Sequence, residues 1–101
     1  MSLQQNFQEI SGKLAKLMPS YGQTEGGVYA FNALGGEFIS KAQEIGVTPD
    51  TSKAQPNLGE MKQLVLAFND VINKTELNDQ ALTSAVQQVA NVLVVNGITP
   101  K

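Results

Sequence analysis

The chain contains no cysteine, no histidine and no arginine. Without cysteine it has no disulfide, no thiolate nucleophile and no thiolate metal ligand. Without histidine it lacks the commonest general base and the commonest metal ligand. Its positive charge comes only from seven lysines, which form no basic stripe of the kind that nucleic-acid-binding domains carry. We therefore expect no metal site and no nucleic-acid partner.

Long apolar runs are also missing. No stretch approaches the roughly 20 apolar residues that a membrane span requires. The first residues, MSLQQNFQEISGKL, lack the basic segment followed by an apolar run that is typical of a secretory signal. These absences predict no membrane span and no signal peptide, which leaves a cytoplasmic location or export by a leaderless route.

Charge of either sign is scarce. Of the 101 residues 16% are charged and 42% are apolar, whereas about 25% of the residues in an ordinary soluble domain are charged. A chain of this length is one domain and can bury a core without disulfides. We expect residues 1–101 to form a single helical domain with a polar, weakly charged surface.

Apolar residues recur at helical spacing in four segments. In the first segment they step along the chain by 4, 3, 4 and 3 residues, which places Leu3, Phe7, Ile10, Leu14 and Leu17 on one helix face. Comparable stripes predict further helices, so that the four lie near residues 3–18, 26–45, 58–73 and 79–96. The β-branched run VLVV in the last segment would also suit a strand, but the long periodic stretch before it favours a helix.

The expected helix boundaries carry residues suited to them. Suitable N-terminal caps precede the four segments at Ser2, Thr24, Asn57 and Asn78. Gly46 and Gly97 occupy positions where a left-handed residue commonly ends a helix. The longest connecting loop, residues 46–56, contains two prolines. Together these features predict an all-α fold, a small four-helix bundle.

Two adjacent glycines, Gly35 and Gly36, lie inside the second predicted helix. On a helical wheel Gly35 falls within the apolar arc, where a small residue lets a neighbouring helix approach closely. Gly36 falls on the polar arc, where glycine costs about 1 kcal/mol relative to alanine. A nucleotide-binding loop would need a strand before the glycines, and the amphipathic pattern runs through them instead. Two interpretations remain, a kink or hinge at Gly35–Gly36 and a continuous helix that tolerates both.

Acid–base chemistry would have to use Asp, Glu, Lys or Tyr. Asp70, Glu76 and Asp79 cluster in sequence around a predicted turn between helices. Acids are common at such turns and caps, and a tuned carboxylate pair would need burial or a close like charge. The alternating acids of a calcium loop are missing. We therefore expect no catalytic residue, no cofactor and no enzymatic activity.

The fourth predicted helix is unusual because no charged residue occurs from Gln80 to Pro100. The core of a protein interface is depleted of charge, since an unpaired charge is costly to bury. We therefore expect the outward side of this helix to bind a partner, through Gln87, Gln88, Asn91, Val94 and Val95. The other interpretation is that the composition has no functional meaning and that the valines pack under the C-terminal tail.

Two functions follow from these patterns. The first is non-enzymatic protein–protein interaction, with another protein or in a homo-oligomer, through the uncharged face of the fourth helix. The alternative is a carrier of a small apolar ligand held between the helices. In that case a bend at Gly35–Gly36 would admit the ligand, and phenylalanines would line its cavity: Phe7, Phe31, Phe38 and Phe68.

Overall fold

A computed structural model describes residues 2–21 and 23–100 of the chain. The described residues form four α-helices and no strand, which confirms the prediction of an all-α four-helix fold. The helices are α1 (Leu3–Leu17), α2 (Glu25–Glu44), α3 (Leu58–Lys74) and α4 (Asp79–Val95). Within the described ranges, none of them is both long and apolar enough to cross a membrane.

Each helix begins at the predicted capping residue. At α1 the Ser2 hydroxyl accepts a hydrogen bond from the Gln5 N–H at 3.2 Å, and the Gln5 side chain accepts one from the Ser2 N–H at 2.9 Å. This reciprocal pair satisfies two N–H groups that the helix itself cannot pair. The other three helices use a single side-chain acceptor for the N–H three residues on, at Thr24, Asn57 and Asn78.

The ends of α2 and α4 have the same sequence pattern and the same geometry. Gly46 and Gly97 have φ angles of 86° and 93°, in the left-handed region that glycine adopts without strain. The next N–H folds back on the helix, from Val47 to Ala42 O at 2.9 Å and from Ile98 to Leu93 O at 3.1 Å. Val47 and Ile98 are buried, so each segment that leaves a helix is anchored on the core.

Side-chain contacts establish the directions of the helices. The Gln4 amide at the start of α1 donates to the carbonyls of Ile72 and Thr75 at the end of α3. About two turns further along α1, Ser11 contacts Asn69. Helix α1 is therefore antiparallel to α3. Short connections also make α1–α2 and α3–α4 antiparallel hairpins. Consequently α2 and α3 run in the same direction, and residues 45–57 must return along the outside of the bundle.

Aromatic rings from three helices meet in the interior. The Phe7, Phe38 and Phe68 rings contact one another edge to face, with centroid distances of 5.2, 5.5 and 6.4 Å. Such contacts add to the stabilisation from burial alone. Phe31 packs on Tyr21, with ring centroids 4.7 Å apart. The phenylalanines therefore pack against other rings between the helices.

The two central glycines of α2 lie in a continuous helix. Gly35 is buried as predicted, and a Cβ there would lie 3.0 Å from Ile98 Cγ2, so the close neighbour is the segment after α4 rather than another helix. The prediction that Gly36 is exposed is wrong, because Gly36 is buried as well. A helical wheel places a residue by its angle about the helix axis and does not measure its exposure. The role of Gly35 and Gly36 as a hinge stays a prediction.

The neighbouring Gly26 and Gly27 allow a matched test of packing at the start of α2. A Cβ on Gly27 would lie 2.6 Å from the Ser20 carbonyl oxygen, whereas a Cβ on Gly26 would meet nothing within 4 Å. We expect Gly27→Ala to lower the free energy of unfolding by about 1–3 kcal/mol through overpacking. Gly26→Ala should leave it unchanged or raise it by up to about 1 kcal/mol. Urea unfolding measures both, and equal stabilities of the two variants would contradict the close contact.

Candidate functional site

A line of uncharged residues runs along α4 with the spacing 3, 4, 3, 4. We call this line the outer stripe; it consists of Ala81, Ser84, Gln88, Asn91 and Val95. Its first three residues are exposed, the fourth is buried and the last is half-buried. The spacing keeps all five on one face of the helix, so the change in burial must come from other parts of the chain.

Part of the connector between α2 and α3 covers the fourth residue of the stripe. The Gln87 amide nitrogen donates to the Thr48 carbonyl at 2.7 Å, and the Asp50 N–H donates to Asn91 Oδ1 at 2.7 Å. We call residues 48–53 the strap. Only 5% of Asn91 is exposed. The prediction that Asn91 lies on an open outward face is therefore wrong, because the connector packs on that face.

The strap explains some of the missing charge on α4. Asn91 Oδ1 also accepts a hydrogen bond from the Gln87 amide at 2.7 Å, so one buried oxygen receives two donors. A carboxylate or an ammonium at position 91 would have to lose its hydration beneath the strap. The strap does not explain why Ala81, Ser84 and Gln88 are uncharged, since these three residues are exposed.

The remaining predicted contact residues lie in different surroundings. Gln88 is exposed, and Gln87 is half-buried against the strap. Val94 is partly buried and packs against the core, while Val95 is half-buried at the end of the outer stripe. Of the five predicted residues, Gln88 is therefore the one that is exposed.

A shallow uncharged groove adjoins the outer stripe between α3 and α4. It has a volume of about 210 Å³ and is lined by Leu64, Ala67, Phe68, Val71, Ala85, Gln88 and Val89. Val71 is 38% exposed at its edge. At helical spacing Leu64 and Val71 fall beside the core residues of α3 and form a widened apolar stripe, so the sequence pattern does not distinguish Val71 from a core residue. The one sequence feature that indicates the groove is that the apolar stripe of α3 is wider than a single helix needs for packing on the core.

Two of the three acids considered for catalysis have positions that stabilise helices, and the third, Glu76, is exposed. Asp70 pairs with Lys74 one turn later at 2.7 Å, and both side chains are largely exposed. This hydrogen bond raises the pKa of Lys74. Asp79 lies in the first turn of α4, where a negative charge is favourable. Among the described residues, no three acids lie close enough together to hold a metal ion.

The chain was compared with protein-family models, with curated proteins and with solved structures, and none of them matches it.

The turn inside the strap should respond to acid. The Asp50 carboxylate accepts hydrogen bonds from the Ser52 hydroxyl at 2.6 Å and from the Ser52 N–H at 3.0 Å. These bonds hold the pKa of Asp50 below its ordinary value of 3.8. Because the folded-state pKa is lowered, the stabilisation is present above the unfolded-state pKa and is lost as the pH falls through the folded-state pKa.

We therefore expect the Ser52 amide resonance to titrate with a midpoint below that ordinary value, as the turn loosens. Two-dimensional NMR between neutral pH and strongly acidic pH measures this midpoint. In an Asp50→Asn variant the amide oxygen can still accept the bonds and does not titrate, so this step should disappear. An identical step in the variant would show that another group is responsible.

Proposed function

We propose that this chain is a non-enzymatic protein that associates with a second copy of itself through the exposed part of the outer stripe and the adjoining groove. The observation that carries the proposal is the absence of charge at Ala81, Ser84 and Gln88, which the strap leaves exposed. An ordinary solvated helix face carries Lys and Glu, whereas the core of an interface is depleted of them.

A second copy is favoured over an unrelated partner by the chemistry of these side chains. In a two-fold symmetric dimer, a patch meets the same patch of the other copy. A patch with charge of one sign would repel its copy, while an uncharged patch does not. The Gln88 amide and the Ser84 hydroxyl can each both donate and accept hydrogen bonds, so each can pair with its own equivalent.

The shape of the surface is also compatible with helix packing. Small side chains allow another helix to approach closely, and this surface has Ala67, Ala81, Ser84 and Ala85. Val71 adds an exposed apolar contact. From Ala81 to Gln88 the open stripe is only about 10 Å long, so we expect weak association, in the micromolar range or weaker.

The alternative function, a carrier of a small apolar ligand, has less support. The Phe7, Phe38 and Phe68 rings contact one another between the helices, so a ligand would have to displace packed side chains.

A charge in the stripe should weaken association and leave the fold unchanged. In a symmetric dimer Gln88→Glu places like charges near each other, and we expect the dissociation constant to rise at least about tenfold. Light scattering after size exclusion, over a wide range of concentration, measures the mass. Circular dichroism checks that the helices persist.

Leu66→Glu is the matched control. Leu66 is 47% exposed on α3 and does not line the groove, so its replacement should not change association. A native chain that is monomeric at every concentration would refute self-association. Equal effects of the two substitutions would refute this surface as the interface.

A further inference from the structure

The apolar residues that anchor the connector on the core flank the strap on either side. Val47, just before it, is 2% exposed, and Ala54, just after it, is partly buried against the core. Between them the turn Thr51–Lys53 buries no residue. The direct hydrogen bonds from the strap to α4 are those to Gln87 and Asn91. Opening of the strap would therefore expose little apolar surface, a property of segments that open locally.

The surface beneath the strap is suited to both a covered and an uncovered state. A permanently covered position is usually apolar, because burying an amide requires matched hydrogen bonds. Here the buried residue is Asn91, and its oxygen keeps the bond from Gln87 when Asp50 leaves. Water can replace the Asp50 N–H as the second donor. The amide pair thus remains hydrogen-bonded in either state.

We propose that the strap opens while the four helices stay packed, and that its opening makes the outer stripe continuous from Ala81 to Val95. The proposal rests on the self-association proposed above. With the strap closed, the stripe is interrupted at Asn91. With the strap open, its length increases from about 10 Å to about 21 Å, at 1.5 Å per residue. The strap is then an autoinhibitory contact that limits how tightly two copies associate.

The occupant of the extended stripe is a second copy of the chain. A stable interface buries about 800 Å² on each partner, and the exposed positions Ala81, Ser84 and Gln88 contribute only part of that area. Opening of the strap adds Asn91, whose amide can both donate and accept hydrogen bonds and so can pair with its own equivalent, and the apolar Val95 beyond it. The added surface therefore remains free of charge and compatible with the same surface of a second copy.

Gln87→Ala is the variant that separates the strap from the interface. It removes the bond to Thr48 and also the bond to Asn91 Oδ1, and Gln87 itself does not belong to the outer stripe. We expect native-state hydrogen exchange of the Asp50 N–H to become about five- to tenfold faster, as expected for the loss of the one hydrogen bond that Gln87 makes to the strap. Exchange of core amides in α1 should not change. Gln63→Ala, at an exposed residue of α3, is the matched control and should change neither rate.

The same variant tests whether the strap limits self-association. We expect Gln87→Ala to lower the dissociation constant for self-association at least about fivefold, measured by light scattering. Adding Val95→Lys should abolish that gain, whereas Val95→Lys alone should leave the weak association of the native chain unchanged. Both results would support an extended stripe in the open form.

Two results would overturn the proposal. One is exchange of the Asp50 N–H only through global unfolding, at the rate of the core amides, because the strap would then not open separately. The other is faster exchange in Gln87→Ala with no change in association. Failure of the underlying function is a different result, since the native chain itself would then stay monomeric at every concentration.

Discussion

The antiparallel packing of α1 on α3 is the constraint on which the rest of the structure depends. Gln4 and Gln8 at the start of α1 donate to backbone carbonyls at the end of α3, and these bonds satisfy groups that a helix end leaves unpaired. Because both hairpins are antiparallel, α2 and α3 must then run in the same direction. A short turn cannot join two such helices, so the connector has to cross the outside of the bundle.

That crossing accounts for much of the chemistry of α4. The connector lies along α4, and its backbone N–H and C=O groups need partners there because a loop has no ladder of its own. The Gln87 amide donates to the Thr48 carbonyl, and Asn91 Oδ1 accepts a hydrogen bond from the Asp50 N–H. Amides can satisfy backbone groups without the desolvation cost of a charge. The lack of charge at the exposed residues Ala81, Ser84 and Gln88 is not explained by contacts within the chain. The part of α4 under the strap is therefore structural, and the exposed part is the candidate contact surface.

Features that depend on neighbours in sequence were predictable. The four apolar stripes, the caps at Ser2, Thr24, Asn57 and Asn78, and the glycine endings at Gly46 and Gly97 are all set by residues within one or two turns. The candidate site was predictable only in part. The absence of charge from Gln80 onward drew attention to α4, yet the burial of Asn91 and the groove beside Val71 depend on the connector and on α3. The burial of Gly36 was not predicted, because a helical wheel gives the angle of a residue about the helix axis and not its exposure.

The sequence by itself determined that the chain forms four amphipathic helices, where each one begins, and that α4 carries no charge after Asp79. Periodicity and capping are local properties, so they can be read from residues a few positions apart. Only the tertiary structure decided that the connector crosses α4, which part of the uncharged face it covers, and that Ile98 packs on Gly35. These contacts join residues about 40 to 60 positions apart, and their pairing depends on the directions of the helices, which no local pattern encodes.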